Sequence, residues 1–236
     1  MHPQLSPFDG ALLVDKPPKL TSHDVVDRLR RHFGFRKVGH CGTLDPAATG
    51  LLVIVLERAT KLQANLMYED KTYEGVMRLG VATDSQDADG KVITEKPVPD
   101  LTDADLEAVF AKFRGDIQQI PPMVSAIKHQ GTPLYKLARK GKTVEREPRL
   151  VHIYDLRQLR LEWPRVQFRV SCTKGTYVRT LCHDIGETLG CGAHLAELRR
   201  TRSGKFDVKN AKLLAELLQL KREQLQPLVI PILRLV

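Results

Sequence analysis

A chain of 236 residues with 42% hydrophobic and 28% charged content can bury a sizeable core, as one large domain or two small ones. Four cysteines are too few for a disulfide scaffold, and the longest uninterrupted apolar run, Leu51–Leu56, is far too short for a helical membrane span. A net charge of +9, from 37 basic against 28 acidic residues, favours a polyanionic partner.

Leu12–Val14, followed by Asp15-Lys16-Pro17-Pro18, predicts a short strand ending in a turn. Thr21 or Ser22 caps a helix whose Val25, Leu29 and Phe33 form one stripe, with Arg28, Arg30 and Arg31 elsewhere and Gly34 at its end. Gly39-His40-Cys41-Gly42-Thr43-Leu44-Asp45-Pro46 is the most informative segment. Its glycines and proline predict a loop, neither helix nor strand, that displays Asp45 ahead of a strand, Leu51–Leu56, buried on both faces. Loops on rigid scaffolds often carry catalytic groups, yet Asp-Pro is also an ordinary turn opener, and local chemistry leaves both readings open.

Lys71–Gly80 predicts a half-buried strand with Tyr73, Met77 and Leu79 on one face and Glu74 and Arg78 on the other. Thr102 with Asp105 resembles a capping box ahead of Leu106, Val109, Phe110 and Phe113. Thr132-Pro133 opens a short helix that Gly141 closes. Val166, Phe168, Val170 and Cys172 alternate as a strand. Gly175 then turns into a helix with Val178, Leu181, Cys182, Ile185 and Leu189 as its core stripe and Arg179 beside it. Asn210 caps a last helix with Leu213, Leu214, Leu217 and Leu218 inward. Strands and helices mix without regular βαβ alternation.

The charges are segregated. Lys128, Lys136, Arg139, Lys140, Lys142, Arg146 and Arg149 stand against only Glu145 and Glu147; Arg199, Arg200, Arg202 and Lys205 form a second cluster, and acids gather between Asp84 and Glu107. A basic face that tracks phosphates follows from this, although each charge alone reads as solvated surface. Asp84–Gly90 has calcium-loop composition, but Lys96 stands where the bidentate glutamate belongs. Cys182, Cys191 and His194 lack a Cys-x-x-Cys pair, and Cys41 beside His40 lacks a group to orient the histidine. No P-loop, Gly-x-Ser-x-Gly elbow or dinucleotide fingerprint is present, so no nucleotide cofactor is expected.

Taken together, LLVDKP (Leu12–Pro17), KVGHCGTLDPAATGLL (Lys37–Leu52), ATKL (Ala59–Leu62), KTYEGVMRLGVATDSQDADG (Lys71–Gly90), PPMVSAIKHQGTPLYKLARKG (Pro121–Gly141), KGTYVRTLCHDIGETLGCGAHLAELRRTRSG (Lys174–Gly204) and PLVIP (Pro227–Pro231) resemble the TruB-type tRNA pseudouridine synthases, in the family's order and over nearly the whole chain. The resemblance implies an α+β pseudouridine synthase fold, a central mixed, mostly antiparallel sheet flanked by helices with an RNA-binding cleft. It implies one catalytic domain over 1–236, with 121–150 as a basic insertion that closes on the T-loop of tRNA. The reaction it implies is isomerisation of uridine 55 to pseudouridine, with base flipping and with neither cofactor nor metal.

By the same resemblance Asp45 is the catalytic carboxylate, Arg179 its guanidinium partner and Tyr73 the active-site tyrosine. His40 fills the space of the flipped nucleotide, and Lys16, Lys61 and Tyr177 are further cleft residues with supporting or phosphate-contacting roles. Read without the family, Tyr73 is a core residue and Arg179 a surface charge at a helix start. The family usually carries a C-terminal PUA-type domain, and Val236 falls just beyond PLVIP, so no such domain is expected here. The expected setting is a cytoplasmic monomer acting on tRNA, with neither membrane nor obligate protein partner. A guide-RNA-dependent relative is an alternative, because His40–Pro46 and Leu198–Gly204 also resemble that branch; a non-catalytic tRNA-folding module is another.

Overall fold

The computed structural model describes residues 6–235, except Ala126, Arg139, Lys140 and Thr143. Arg139 and Lys140 of the basic stretch therefore lie outside the described residues. In chain order the elements are β1 (Gly10–Lys16), α1 (Ser22–Phe33), β2 (Val38–His40), β3 (Thr49–Leu56), α2 (Gln63–Met67), β4 (Lys71–Leu79), β5 (Val81–Thr83) and β6 (Val92–Glu95). Then come α3 (Asp103–Lys112), β7 (Gly115–Gln119), β8 (Lys128–His129), β9 (Thr132–Pro133), α4 (Leu134–Ala138), β10 (Arg149–Glu162), β11 (Arg165–Cys172) and α5 (Val178–Thr188). The last are β12 (Ala193–Ser203), β13 (Phe206–Asp207), β14 (Lys212–Leu213), α6 (Leu214–Leu217), α7 (Arg222–Leu225) and β15 (Ile230–Pro231). The chain divides into two compact units, residues 1–73 with 198–236 and residues 74–197, and both crossings fall inside strands, β4 and β12.

In the first unit β3 runs antiparallel to β1, from Gly10↔Leu56 to Lys16↔Gly50, and its other edge carries β2 and, in parallel, the Arg199–Arg200 step of β12. Its uninterrupted apolar sequence is explained by two covered faces. Leu52, Ile54 and Leu56 pack with Val25, Val26, Leu29 and Phe33 of α1, while Leu51, Val53 and Val55 pack with Ala11, Leu13, Cys41, Ala59 and Leu66. Each such side chain contributes about 1.5–3 kcal/mol on burial. Helix α1 begins as its sequence predicts, with a Thr21–Asp24 capping box, and Gly34 ends it in left-handed backbone.

Two expectations fail in this unit. The glycine-rich segment is not loop throughout, because Val38–His40 pairs with β3 as strand β2. The Asn210-capped helix is absent: Lys212 and Leu213 pair in parallel with Val14 and Asp15, and only Leu214–Leu217 turns helical. Leu214 and Leu217 are buried, but Leu213 is 51% exposed. The reason is backbone satisfaction. The edge of β1 offers ladder partners that an isolated short helix lacks, and an apolar 3–4 spacing does not distinguish the two.

In the second unit the strand order is β4, β11, β10, β7. β10 and β11 form an antiparallel hairpin from Ile153↔Cys172 to Glu162↔Arg165, and β7 lies antiparallel on β10 from Arg149↔Gln119 to Ile153↔Gly115. Val166, Phe168, Val170 and Cys172 are buried, as the alternation predicts, with Val151, Ile153 and Leu156. Leu106, Val109 and Phe110 of α3, behind the Thr102–Asp105 capping box, and Leu181, Cys182 and Ile185 of α5 are also buried. Phe113 is the C-cap of α3 rather than a helical residue. The acidic segment is a hairpin loop between β5 and β6 whose carboxylates serve the loop itself: Asp84 accepts from Lys91 N at 2.8 Å and Asp87 from Ser85 Oγ at 2.5 Å. In the insertion, Thr132-Pro133 pairs with Lys128-His129 and precedes α4. The architecture is α+β with a mixed sheet.

Candidate active site

Asp45 sits on a loop whose peptides are pinned on both sides. Cys41 N donates to Val53 O at 2.8 Å as the chain leaves β2. Ser22, buried at the start of α1, holds the Leu44 peptide twice: Leu44 N donates to Ser22 Oγ at 2.8 Å and Ser22 Oγ donates to Leu44 O at 3.2 Å. Beyond Asp45, Pro46 O accepts from Lys19 N at 2.8 Å and from Lys16 Nζ at 3.2 Å, and Asp45 O accepts from Ala48 N at 3.1 Å. Asp45 itself is half-buried. A carboxylate presented this way needs no reordering of the chain to meet a substrate, which is what positioning demands.

Lys16, at the end of β1, is fully buried; its Nζ donates to Pro17 O at 2.9 Å, Leu20 O at 2.7 Å and Pro46 O. Burial lowers its pKa from the usual 10.5 to about 8, opposed by attraction to Asp45. Of the two roles the resemblance allows, this geometry favours support of the Asp45 loop, because all three ammonium protons are spent on carbonyls.

Arg200 belongs to a basic cluster that reads as surface in the sequence, yet it is 1% exposed. Its Nε donates to Leu51 O at 2.7 Å and its Nη2 to Gly42 O at 3.1 Å. Gly42 has φ +110, and a Cβ there would lie 3.3 Å from Arg200 Nη1; at Gly50, φ +97, a Cβ would lie 2.3 Å from Arg200 O. These glycines let the loop and β3 close on the arginine. Lys71, also buried, donates to Met67 O and Glu69 O. The sequence reading missed Ser22, Arg200 and Lys71 as parts of this site. Only the two glycines beside a bulky residue hint at Arg200.

His40, on β2, is half-buried, and its Nδ1 is buried without a hydrogen-bond partner in the structure. Burial first, then Arg200 and His23, lower its pKa, so it is neutral near pH 7. Burial pushes the thiol of Cys41 up to about 12, which removes it as a thiolate nucleophile. Lys61 is exposed on the 3-10 turn Glu57–Leu62. Tyr73, half-buried on β4, packs against the cluster that contains Leu44 and Leu52.

The second unit holds the other two predicted residues. Tyr177, half-buried, is the N-cap of α5, and Arg179 lies in the first turn of that helix. Arg179 is 4% exposed rather than a surface charge. Its Nη1 contacts Asp87 Oδ2 at 3.2 Å and Ser85 O at 3.3 Å, and its Nη2 donates to Val124 O at 2.8 Å. A buried guanidinium held in one orientation is suited to an anionic group.

The class so defined is an α+β protein that presents a carboxylate on a pinned loop backed by buried cations. Comparison with known proteins narrows it. Residues 30–178 match the family model of the TruB family pseudouridylate synthase N-terminal domain, and 179–236 that of the tRNA pseudouridylate synthase B C-terminal domain. The chain is 52% identical over 225 residues to tRNA pseudouridine synthase B of Opitutus terrae, covering 95% of this chain and 93% of that protein. With the protein of the same name from Chromohalobacter salexigens it shares 52% identity over 202 residues, 86% of this chain and 66% of the relative. Among solved structures, a chain of a Cbf5-Nop10-Gar1 complex superposes with TM-score 0.76 at 32% identity, over 96% of this chain and 61% of that one. The chain belongs to the TruB family of pseudouridylate synthases.

Proposed function

We propose that this protein isomerises uridine 55 in the T-loop of tRNA to pseudouridine. In that reaction the N1–C1′ glycosidic bond breaks and a C5–C1′ bond forms. The proton on C5 leaves and N1 takes one up, so no oxidant, reductant or cofactor is consumed. A glycosidic bond yields to a carboxylate that attacks or stabilises the reacting carbon. Asp45 takes that role, and the observation that carries it is the pinning of the Leu44 and Pro46 peptides on either side of the carboxylate.

Arg179 is the guanidinium partner for the anionic chemistry. Tyr73 stacks on the uracil and assists removal of the C5 proton. The target uridine lies inside a folded loop and must be everted; His40 fills the space it leaves, and Lys16, Lys61 and Tyr177 have supporting or phosphate-contacting roles, Lys16 holding the Asp45 loop. Residues 1–236 act as one catalytic domain, with 121–150 as the element that closes on the T-loop. The protein works in the cytoplasm as a monomer; no helix among the described residues is long and apolar enough to cross a membrane.

The test is tritium release from tRNA transcript labelled at uracil C5, wild type against Asp45→Asn. Wild type should release one tritium per tRNA and Asp45→Asn none while still binding; turnover by the variant would end the assignment. A second reading, dependence on a guide RNA, draws on the similarity to the Cbf5 structures. Activity on bare transcript, without guide or partner proteins, decides against it.

A further inference from the structure

We infer that Gln119 is a positioning residue for the reaction, fastening the start of helix α5, and through it Arg179, to the root of the insertion. Gln119 is the last residue of β7, and its ladder partner is Arg149, the first of β10. Residues 120–148 therefore leave and return at this one step. Gln119 is 1% exposed, and its amide makes two bonds to Tyr177: Tyr177 N donates to Oε1 at 2.9 Å and Nε2 donates to Tyr177 O at 3.2 Å.

This is the two-bond exchange of a hydrogen-bonded antiparallel pair, made by a side chain instead of a strand. Tyr177 has extended backbone, φ −98 and ψ 105, and α5 has no side-chain cap, so the amide holds the helix entry that a cap would otherwise fix. Tyr177 O also accepts the first helical bond, from Leu181 N at 3.0 Å. Two residues on, Arg179 reaches back to the insertion through Val124 O. The start of α5 is thus tied to the insertion twice, by backbone at Tyr177 and by side chain at Arg179. An amide of this length accepts and donates at once here: glutamate cannot donate when ionised, methionine does neither, and asparagine is one methylene short.

The inference rests on the proposed reaction, and the experiment separates the two. Gln119→Met keeps length and volume. Its single-turnover tritium release at saturating tRNA should fall roughly 10- to 100-fold, as expected for a misplacement of about an ångström, with tRNA affinity within about threefold of wild type. Counting only bound complexes, by binding stoichiometry, removes any contribution from unfolded protein. Gln119→Glu should be impaired at pH 8 and recover towards wild type as the pH falls and the introduced carboxyl gains a proton, hence a donor; a merely space-filling role gives no such profile. A Gln119→Met rate within twofold of wild type per bound tRNA, or a Gln119→Glu defect independent of pH, overturns the inference. Should Gln119→Met not fold, the Gln119→Glu profile alone decides. If wild type releases no tritium, the reaction is wrong, and exchange of the Tyr177 amide still tests the clamp: at least tenfold faster in Gln119→Met supports it, unchanged exchange refutes it.

Discussion

The guanidinium of Arg179 and the carboxylate of Asp87 meet at 3.2 Å, with side-chain exposures of 5% and 20%. Asp87 therefore does for Arg179 what its acidic hairpin does for itself: it fixes a charge that would otherwise be costly to bury. Removing one member of such a pair leaves the other buried and uncompensated.

Asp87→Asn should accordingly destabilise the fold by about 2 kcal/mol, below the usual range for a fully buried pair because Asp87 keeps some contact with water. The denaturant midpoint measures it. Turnover at saturating tRNA should fall as well, since Arg179 would lose one of its anchors. An unchanged midpoint together with unchanged turnover would show that Ser85 O and Val124 O suffice to hold the guanidinium.

Lys16 gives a pH prediction. Its pKa is about 8 in the folded protein against 10.5 ordinarily. From pH 8 to 10.5 the unfolded chain binds more protons than the folded one, so the lysine's contribution to stability rises with pH across that window and is lost as pH falls through 8. Function runs the other way. The ammonium holds Pro46 O beside Asp45, so turnover should decline above pH 8 as a donor is lost. In Lys16→Met that alkaline limb should vanish and the activity should be low throughout. A pH–rate profile from 6.5 to 9.5 reads both, and an alkaline limb retained in the variant would assign it to another group.

Much of this was legible in the sequence. Periodicity located α1, α3, α5 and β11, because each buries a regular stripe against a neighbour, and an unbroken apolar run located β3, which is covered on both faces. A cap at Thr21 or Ser22 and a capping box at Thr102 marked helix starts, since they are local chemistry. What failed was decided by distant partners. Lys212-Leu213 is extended because β1 has an open edge, and Val38–His40 is a strand because β3 does. Read without the family, Arg179 and Arg200 are surface charges, and nothing in a one-dimensional pattern shows that carbonyls of Val124, Leu51 and Gly42 await them. Asp45 stood out only as a turn carboxylate until the whole set of motifs was taken together.

Salt dependence tests the basic insertion as a phosphate contact. Each phosphate neutralised should contribute a slope of about −0.7 to −0.9 to log affinity against log salt. A slope of about −3 or steeper between 50 and 200 mM salt, roughly four contacts, is the expected result. Lys142→Gln with Arg149→Gln should flatten it by one to two. A slope near zero in the wild type would remove charge segregation from the case for a polyanion.

Gly42→Ala probes whether the loop's fixed shape matters for chemistry. At φ +110 an alanine is strained, and its Cβ would press on Arg200 Nη1 at 3.3 Å, tighter than an ordinary contact. The arginine cannot swing away without giving up Leu51 O and Gly42 O, and 1% exposure leaves it no water to compensate. The backbone must yield instead, and Asp45 is three residues on. A destabilisation of about 1–2 kcal/mol should therefore come with a larger fractional loss of turnover than of tRNA affinity. Gly190, with φ +81 but open space around it and outside both the Asp45 loop and the start of α5, is the matched control: Gly190→Ala carries the same kind of strain without a neighbour to push. Equal losses of turnover in the two variants would mean that backbone strain alone, and not the Gly42–Arg200 contact, sets the effect.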